Sequence, residues 1–322
     1  MIWLTLRQHR AQILLTVGLL VVVGVVLLAS GIEAGHYIAE HAPPGCPGDA
    51  AECGAVNGAI NERYWTIYNA IGFLPIAGPA LIGAFWGAPL LAREFERGTH
   101  KLIWTQSITP GRWLAVKIAV LAGILVASAA AFSAMTQAWL DVFAPAQASD
   151  SSFNNPGKFA LLGVAPAAWW LFAFAVGVAA GAVFRRVIPA IAVTVAISAL
   201  MFPVLVSMHD DGYSRPLRTV STERSSMHDS GSILVSATLI DGDGETAEPP
   251  VDCAPPESMD PNSGQGQQYT DDCLVSQGYQ WSIEYQPASR FWRYQWTEAT
   301  ILTTIAVALT ALAVVHVRRR RI

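Results

Sequence analysis

Few residues able to do chemistry can be found in this chain of 322 residues, and their spacing matches no catalytic pattern. His36, Glu40 and His41 form an H-x-x-x-E-H run, one residue longer than the inverted zinc-protease spacing, and HExxH is not present either. Glu33, His36 and Glu40 share one helical face, but the run reads as a solvated helix extension and no metal is expected. DGDGE at 241–245 has Thr246 where a calcium loop requires glycine, so it reads as a turn. None of the three lysines, Lys101, Lys117 and Lys158, ends a GxxxxGK[ST] run, so ATP cannot be cradled by a Walker A loop. No Ser/His/Asp triad is legible, and no catalytic residue is assigned. Glu298 and His316 near opposite ends of the last apolar run, with Lys117 near one end of the third, are the few ionisable groups close to apolar segments. Ion-coupled carriers keep such groups mid-membrane, which argues against a secondary transporter. For Glu298 two readings stay open, a pathway residue or a carboxylate ending a helix at the outer interface. The cysteines fall into two pairs without CxxC spacing, Cys46 with Cys53 and Cys253 with Cys273, which suits disulfides better than zinc.

The densest knot of charge lies within 87–118, between two long apolar runs. Arg93, Glu94, Glu96 and Arg97 fall within five residues, and Gly98 can end that helix in a left-handed conformation. Thr99 suits the N-cap of a short second helix carrying Lys101, Leu102, Ile103 and Trp104. Thr109 and Pro110 then read as N-cap and first position of the next helix. A short amphipathic helix held between two membrane helices suits transmission of motion from a soluble partner. The plainer reading of the same charges is a positive-inside loop.

The elements that position these residues follow from composition. Charged residues make up 14% of the chain and hydrophobic residues 52%, with mean hydropathy +0.38, where a soluble domain carries about 25% charge. The expected fold is an all-α polytopic membrane protein with six transmembrane helices and a small extracellular β-containing domain between the fifth and sixth spans. The transmembrane region covers 1–207, with spans near 12–30, 67–91, 113–137, 159–184 and 187–207 and a cytoplasmic coupling segment at 93–112. The first apolar run is longer than a signal-peptide h-region and reads as a retained anchor, preceded by a short basic amphipathic lead-in. Glycines and prolines at 72–89 predict a kinked or interrupted second span, and Gly177 and Gly181 are spaced for close helix contact. Residues 208–296 form the loop domain: ILVSATLI (233–240) is strand-like, and Tyr279, Trp281, Ile283 and Tyr285 alternate with polar residues. Residues 297–322 hold the sixth span and a basic cytoplasmic tail, after an aromatic lead at 291–296.

Sidedness follows from charge. With the N-terminus inside, thirteen cations and two anions lie on the inner face, while twenty-two carboxylates lie outside. Both termini are then cytoplasmic and both cysteine pairs lie outside, where disulfides persist. The expected location is the plasma membrane.

GAPLLAREFERGTHKLIWTQSITPGRWLAVK (87–117) resembles the signature of actinobacterial ABC-2-type transporter permeases, in which an ARE-xx-GT segment is followed by WTQS and RW. RRVIPAIAVT (185–194) and YQPASRFWRYQWTE (285–298) are similar to later segments of that family. The resemblance implies a six-helix subunit, homodimeric or paired with a related permease, working with a cytoplasmic ABC ATPase subunit. ATP would be bound by that partner, so this chain would need no cofactor and would not be an enzyme by itself. The matching positions in the coupling segment are Glu94, Arg97, Gly98, Thr99, Trp104, Thr105, Gln106, Arg112 and Trp113. Glu94 and Arg97 suit ionic contact with the ATPase, Gly98 and Thr99 the turn, and Leu102, Ile103 and Trp104 an apolar anchor seated in its groove.

The expected function is therefore export of a lipophilic or amphipathic compound, driven through a coupling helix at 99–107. The alternative is a non-transporting membrane sensor or assembly protein whose acidic outer domain binds a ligand. Beyond the protein partners and the lipid bilayer, no nucleic acid is expected.

Overall fold

The computed structural model describes residues 2–43, 46, 51–98, 110–146, 152–222, 231–256, 259 and 264–319. The chain divides into two compact units, one of residues 1–148, 156–206 and 292–322, the other of residues 149–155 and 207–291. The first unit is helical. Its elements are α1 (Ile2–Gln8), α2 (Arg10–His41), α3 (Ala51–Ile82), a π turn (Gly83–Gly87), α4 (Ala88–Glu96), α5 (Pro110–Asp141), the short α6 (Pro156–Leu161), α7 (Ala165–Phe184), α8 (Val187–Ser207) and α10 (Phe291–Arg319).

Among the described residues six helical stretches are long and apolar enough to cross a membrane: Arg10–His41, Cys53–Glu96, Gly111–Ala146, Ala165–Phe184, Val187–Ser207 and Ala288–Val317. Four of them outrun a bilayer. The 44 residues of Cys53–Glu96 extend about 66 Å and the 32 residues of α2 about 48 Å, against about 30 Å of hydrocarbon. The surplus is held together by its own core, in which Ile38 of α2, Val56, Ile60 and Tyr64 of α3, and Trp139 and Phe143 near the end of α5 are buried together. Trp139 meets Phe143 edge-on at 4.7 Å, and its indole N–H donates to Ser30 Oγ at 3.0 Å. A disulfide joins Cys46 to Cys53 in the α2–α3 hairpin.

α7 is the hub, with 72% of its membrane-length window buried, against 44% or less in each of the other five. Its mates are glycines. Gly83 and Gly87 in the π turn lie against Ala173, Phe174 and Gly177 of α7, and Gly181, four residues after Gly177, lies against Ala88 of α4. A Cβ on Gly87 would lie 2.4 Å from the Phe174 carbonyl oxygen, and one on Gly177 would lie 2.4 Å from the Gly83 carbonyl oxygen. Backbone therefore packs on backbone, the small-residue mode that replaces hydrophobic driving force inside lipid. The interruption expected from the glycines and prolines at 72–89 is this π turn, which offsets the helical hydrogen-bond ladder. Gln12 answers it, its side-chain amide donating to the Phe85 carbonyl at 2.7 Å.

The second unit contains a three-stranded antiparallel sheet in the order β1-β3-β2, formed by β1 (Leu217–Ser221), β2 (Ile233–Ile240) and β3 (Gln280–Gln286). The alternation of β3 places Trp281 and Ile283 on one face, over Leu239, Leu274 and Cys253. Residues 241–245 are a turn: Asp241 Oδ1 accepts the N–H groups of Asp243 and Glu245, and Gly244 sits at φ +82°. α9 (Gly264–Ser276) is a helix where the sequence reads as an irregular Pro/Gly/Asp/Gln-rich stretch. Glutamine is a good helix former, and Leu274, Cys273 bonded to Cys253, and Asp271 receiving the Trp281 indole N–H tie the helix to the sheet.

Replacing Gly177 with Val forces α7 off the π turn and is expected to cost about 3 kcal/mol. Gly123→Ala on α5, where a Cβ meets nothing within 4 Å, is expected to be neutral. Thermal melting of the two detergent-purified variants, followed by size-exclusion recovery, checks the contrast.

Candidate coupling junction

α4 ends in the charged cluster singled out in the sequence. Gly98 adopts φ +68°, and its N–H donates to the Phe95 carbonyl, the left-handed stop that glycine alone takes without strain. Of the four charged side chains of this cluster, only that of Glu94 is withdrawn from solvent. Arg93 and Arg97 are exposed. Glu94 turns inward, only 12% exposed, and pairs through Oε1 at 3.3 Å with Lys117 Nζ of α5, itself 2% exposed. The same oxygen accepts from Gln8 Nε2 of α1 at 3.4 Å. Lys117 Nζ also lies 4.9 Å from the centroid of the half-buried Trp113 ring, a cation–π contact on its own helix.

Glu96 reaches a different neighbour. Its Oε1 accepts the backbone N–H of Val187 at 2.9 Å, capping α8, where the chain supplies no local capping side chain of its own. Phe95, between the two glutamates, lies 5.4 Å under the Arg185 guanidinium. Arg185 takes the left-handed conformation, φ 55°, that ends α7 and lets α8 begin two residues later. Three consecutive side chains of α4 thus attach it to α1, α5, the α7 terminus and α8.

His9 lies beside this network at the α1–α2 break. It is buried, Nδ1 pairs with Gln12 Oε1, and Nε2 has no hydrogen-bond partner among the described residues. Burial is the main force holding its pKa below the ordinary histidine value, aided by the Lys117 and Arg93 cations and opposed by Gln12 and Glu94. Nothing in the sequence marks Lys117 as the partner of Glu94, because a pair 23 residues apart leaves no periodic signal.

Arg112 is exposed at the start of α5. Thr99, Leu102, Ile103, Trp104, Thr105 and Gln106, and with them the short helix expected at 99–107, lie outside the described residues.

Glu298 is not at an exposed helix end. It is the eighth residue of α10, 2% exposed, and its Oε1 accepts the Trp169 indole N–H of α7 at 2.7 Å. One turn earlier the fully buried Gln295 caps α7 from outside. Its Oε1 accepts the N–H groups of Val164 and Ala165 at 3.1 and 2.9 Å, while Nε2 donates to the Phe159 carbonyl at 2.8 Å. Gly163, at φ +59°, leaves room for that amide. Among the described residues no group of three His, Cys, Asp or Glu side chains could hold a metal ion.

A family described as ABC-2 membrane transporter related matches residues 17–208, about three-fifths of the chain. The chain belongs to that family. The ABC-2 match runs from within α2 to the end of α8 and includes Glu94, Glu96, Lys117, Arg185 and Val187 of the junction, while α1 with Gln8, His9, the sheet and α10 fall outside it. No curated protein and no solved structure matches the chain. With six helices able to span a membrane, membership makes this a multi-pass membrane protein of the ABC-2 permease type, and a family of this type implies partnership with an ATP-binding subunit in a membrane transporter.

Glu94→Ala strands Lys117 as a buried, unpaired cation and is expected to lower stability by about 3 kcal/mol. Glu94→Ala with Lys117→Met removes both charges and is expected to recover most of that loss, a non-additivity readable by thermal melting of the single and double variants. Acidification acts through His9. A depressed native pKa means the unfolded chain binds the proton more tightly, so the stability His9 contributes is present above about pH 6.5 and is lost as pH falls through its lower native value. The wild-type melting temperature is therefore expected to drop more between pH 7 and pH 5 than that of His9→Gln, measured side by side.

Proposed function

We propose that the protein is the membrane-spanning permease subunit of an ATP-binding-cassette transporter that exports a lipophilic or amphipathic compound. ATP is bound and hydrolysed by a separate subunit, and this chain needs no cofactor of its own. The termini and the segment 93–112 face the cytoplasm. Both disulfides and the loop domain of residues 208–296, between the fifth and sixth spans, lie outside. Two permease subunits, identical or related, assemble with the ATPases.

The observation that supports this reading is the attachment of the α4 terminus. Glu94 and Glu96 tie it to α5 and α8, and Gly98 directs the chain out of α4 toward the 99–107 segment, which seats on the ATPase. Arg97 and Arg112, both exposed, flank that segment and supply the ionic contact. Glu94 works from inside, passing displacement of the segment to Lys117 and α5. Leu102, Ile103 and Trp104 are the apolar anchor, Thr99 serves with Gly98 at the turn, Thr105 and Gln106 belong to the same coupling segment, and Trp113 packs beside Lys117. Glu298, buried against Trp169, borders the path that opens between α7 and α10.

The test is affinity purification of the tagged protein in mild detergent, with the co-purifying proteins identified. An ATPase carrying a Walker A loop is expected. Its recovery should fall about tenfold or more in Arg97→Glu/Arg112→Glu, while helix content and melting temperature stay at wild-type values. Gly98→Pro, which forbids the left-handed stop, should keep the ATPase bound but abolish substrate-stimulated hydrolysis. Recovery of the protein without any ATPase, or with signalling proteins, overturns the reading in favour of a membrane sensor acting through its acidic loop domain.

A further inference from the structure

Between α2 and α5 lies a groove of about 700 Å³ with no ionisable side chain in its lining. α2 contributes a continuous stripe, Val17, Val21, Gly24, Leu28, Gly31 and Gly35, at alternating spacings of four and three. The α5 wall includes Ala131 and Ala138, both exposed, so that wall is recessed where larger side chains would fill it. Met135 narrows the groove at Gly24, where a Cβ would lie 2.9 Å from its Sδ; a Cβ on Gly31 or Gly35 would meet Trp139 at 3.4 Å or Val142 at 3.6 Å.

The stripe has a polarity. Continued toward the N-terminus at the same spacing, it passes Leu14 and arrives at Arg10, both exposed. Beside it, α1 presents Ile2, Trp3 and Leu4, all more than half exposed, and Arg7 stacks on Trp3 at 5.3 Å. That is the composition of a helix lying at a membrane surface, basic and aromatic together. At its other end α2 carries the exposed Glu33 and Glu40, Glu33 being paired with Arg63. A negatively charged headgroup therefore fits one end only. One leaflet supplies about 15 Å of hydrocarbon, which is about ten residues of helix, the span from Leu14 to the narrowing at Gly24.

We propose that this groove binds one anionic phospholipid, its phosphate at Arg10 with Arg7 nearby and one acyl chain laid along α2 from Leu14 to Gly24, between α2 and α5. The lipid belongs to the leaflet that holds the N-terminus, whichever side of the membrane that is, and the site stands apart from ATPase coupling.

The test is native mass spectrometry of the detergent-purified protein titrated with phosphatidylglycerol or phosphatidylcholine of equal chain length. Phosphatidylglycerol is expected to be retained over phosphatidylcholine, and Arg10→Gln should lower that preference about fivefold, the effect of one cation near an anionic headgroup. Ala131→Phe, which fills the half of the groove near the N-terminus, should reduce retention of both lipids, whereas Ala138→Phe, in the far half, should change neither. The proposal falls if Arg10→Gln leaves the preference unchanged, or if Ala131→Phe and Ala138→Phe act alike at wild-type melting temperatures. It falls also if Leu28→Cys forms disulfide-linked dimers in membranes, for then a second copy of the chain covers the groove. Because the readout is lipid retention, failure here leaves the permease reading untouched, and absence of an ATPase partner leaves the lipid site untouched.

Discussion

Lipid offers no hydrophobic reward for bringing two apolar helices together, so close backbone approach has to supply the attraction, and Gly83, Gly87, Gly177 and Gly181 make that approach possible. The other contacts of the helical unit are arranged around it. The π turn brings Gly83 and Gly87 against Gly177, with Gly181 against Ala88 of α4, and the carbonyl it presents at Phe85 is taken up by Gln12 of α2. Thr194 of α8 closes on the same spot: a Cβ on Gly83 would lie 2.4 Å from its methyl carbon, while its hydroxyl donates back to the Ala190 carbonyl. A buried helix with small residues on its contact face can be surrounded in this way, where one carrying leucines would hold its neighbours several ångströms further out.

From that hub to the end of α4 the chain is one helical rod, and its charged end is attached to the rest by polar contacts. An ion pair, a carboxylate cap and a cation over an aromatic ring lie within three residues, each to a different element. These contacts are directional and strong in a low-dielectric setting, so a displacement applied just beyond Gly98 is passed to α1, α5 and α8 together. A purely apolar contact surface would let the rod slide. The buried histidine beside the network makes the same joint sensitive to acid.

Much of this was legible in the sequence, and the limits have physical causes. Six apolar runs announced the spanning helices because membrane length is a count of residues. Gly98, with Thr99 after it, announced the end of α4 because only glycine takes that conformation freely. The interruption at 72–89 was legible as glycine and proline, but not as a π turn, whose register depends on what α7 presents to it. β3 was legible through its alternation; β1, with the short sequence LRTVS, and α9, with its polar composition, were not, since each is held by contacts with the rest of its unit. Lys117 read as an isolated cation near a helix end. Its partnership with Glu94, and Glu96 capping α8, are long-range pairings that no local pattern records. Glu298 stands out in the sequence as a carboxylate beside an apolar run, but its burial against Trp169 depends on how α10 meets α7.

Two helices in this molecule are capped by side chains borrowed from elsewhere, and chain order makes the two loans unequal. Glu96 is made 91 residues before Val187, so the cap is waiting when α8 is synthesised. Gln295 comes 130 residues after Ala165. At about 5–20 residues per second, the first N–H groups of α7 stand open for roughly 6–26 seconds until α10 arrives. Of the two, the hub is therefore the helix whose first N–H groups wait for their cap, met by translocon, water or lipid headgroup until α10 is made.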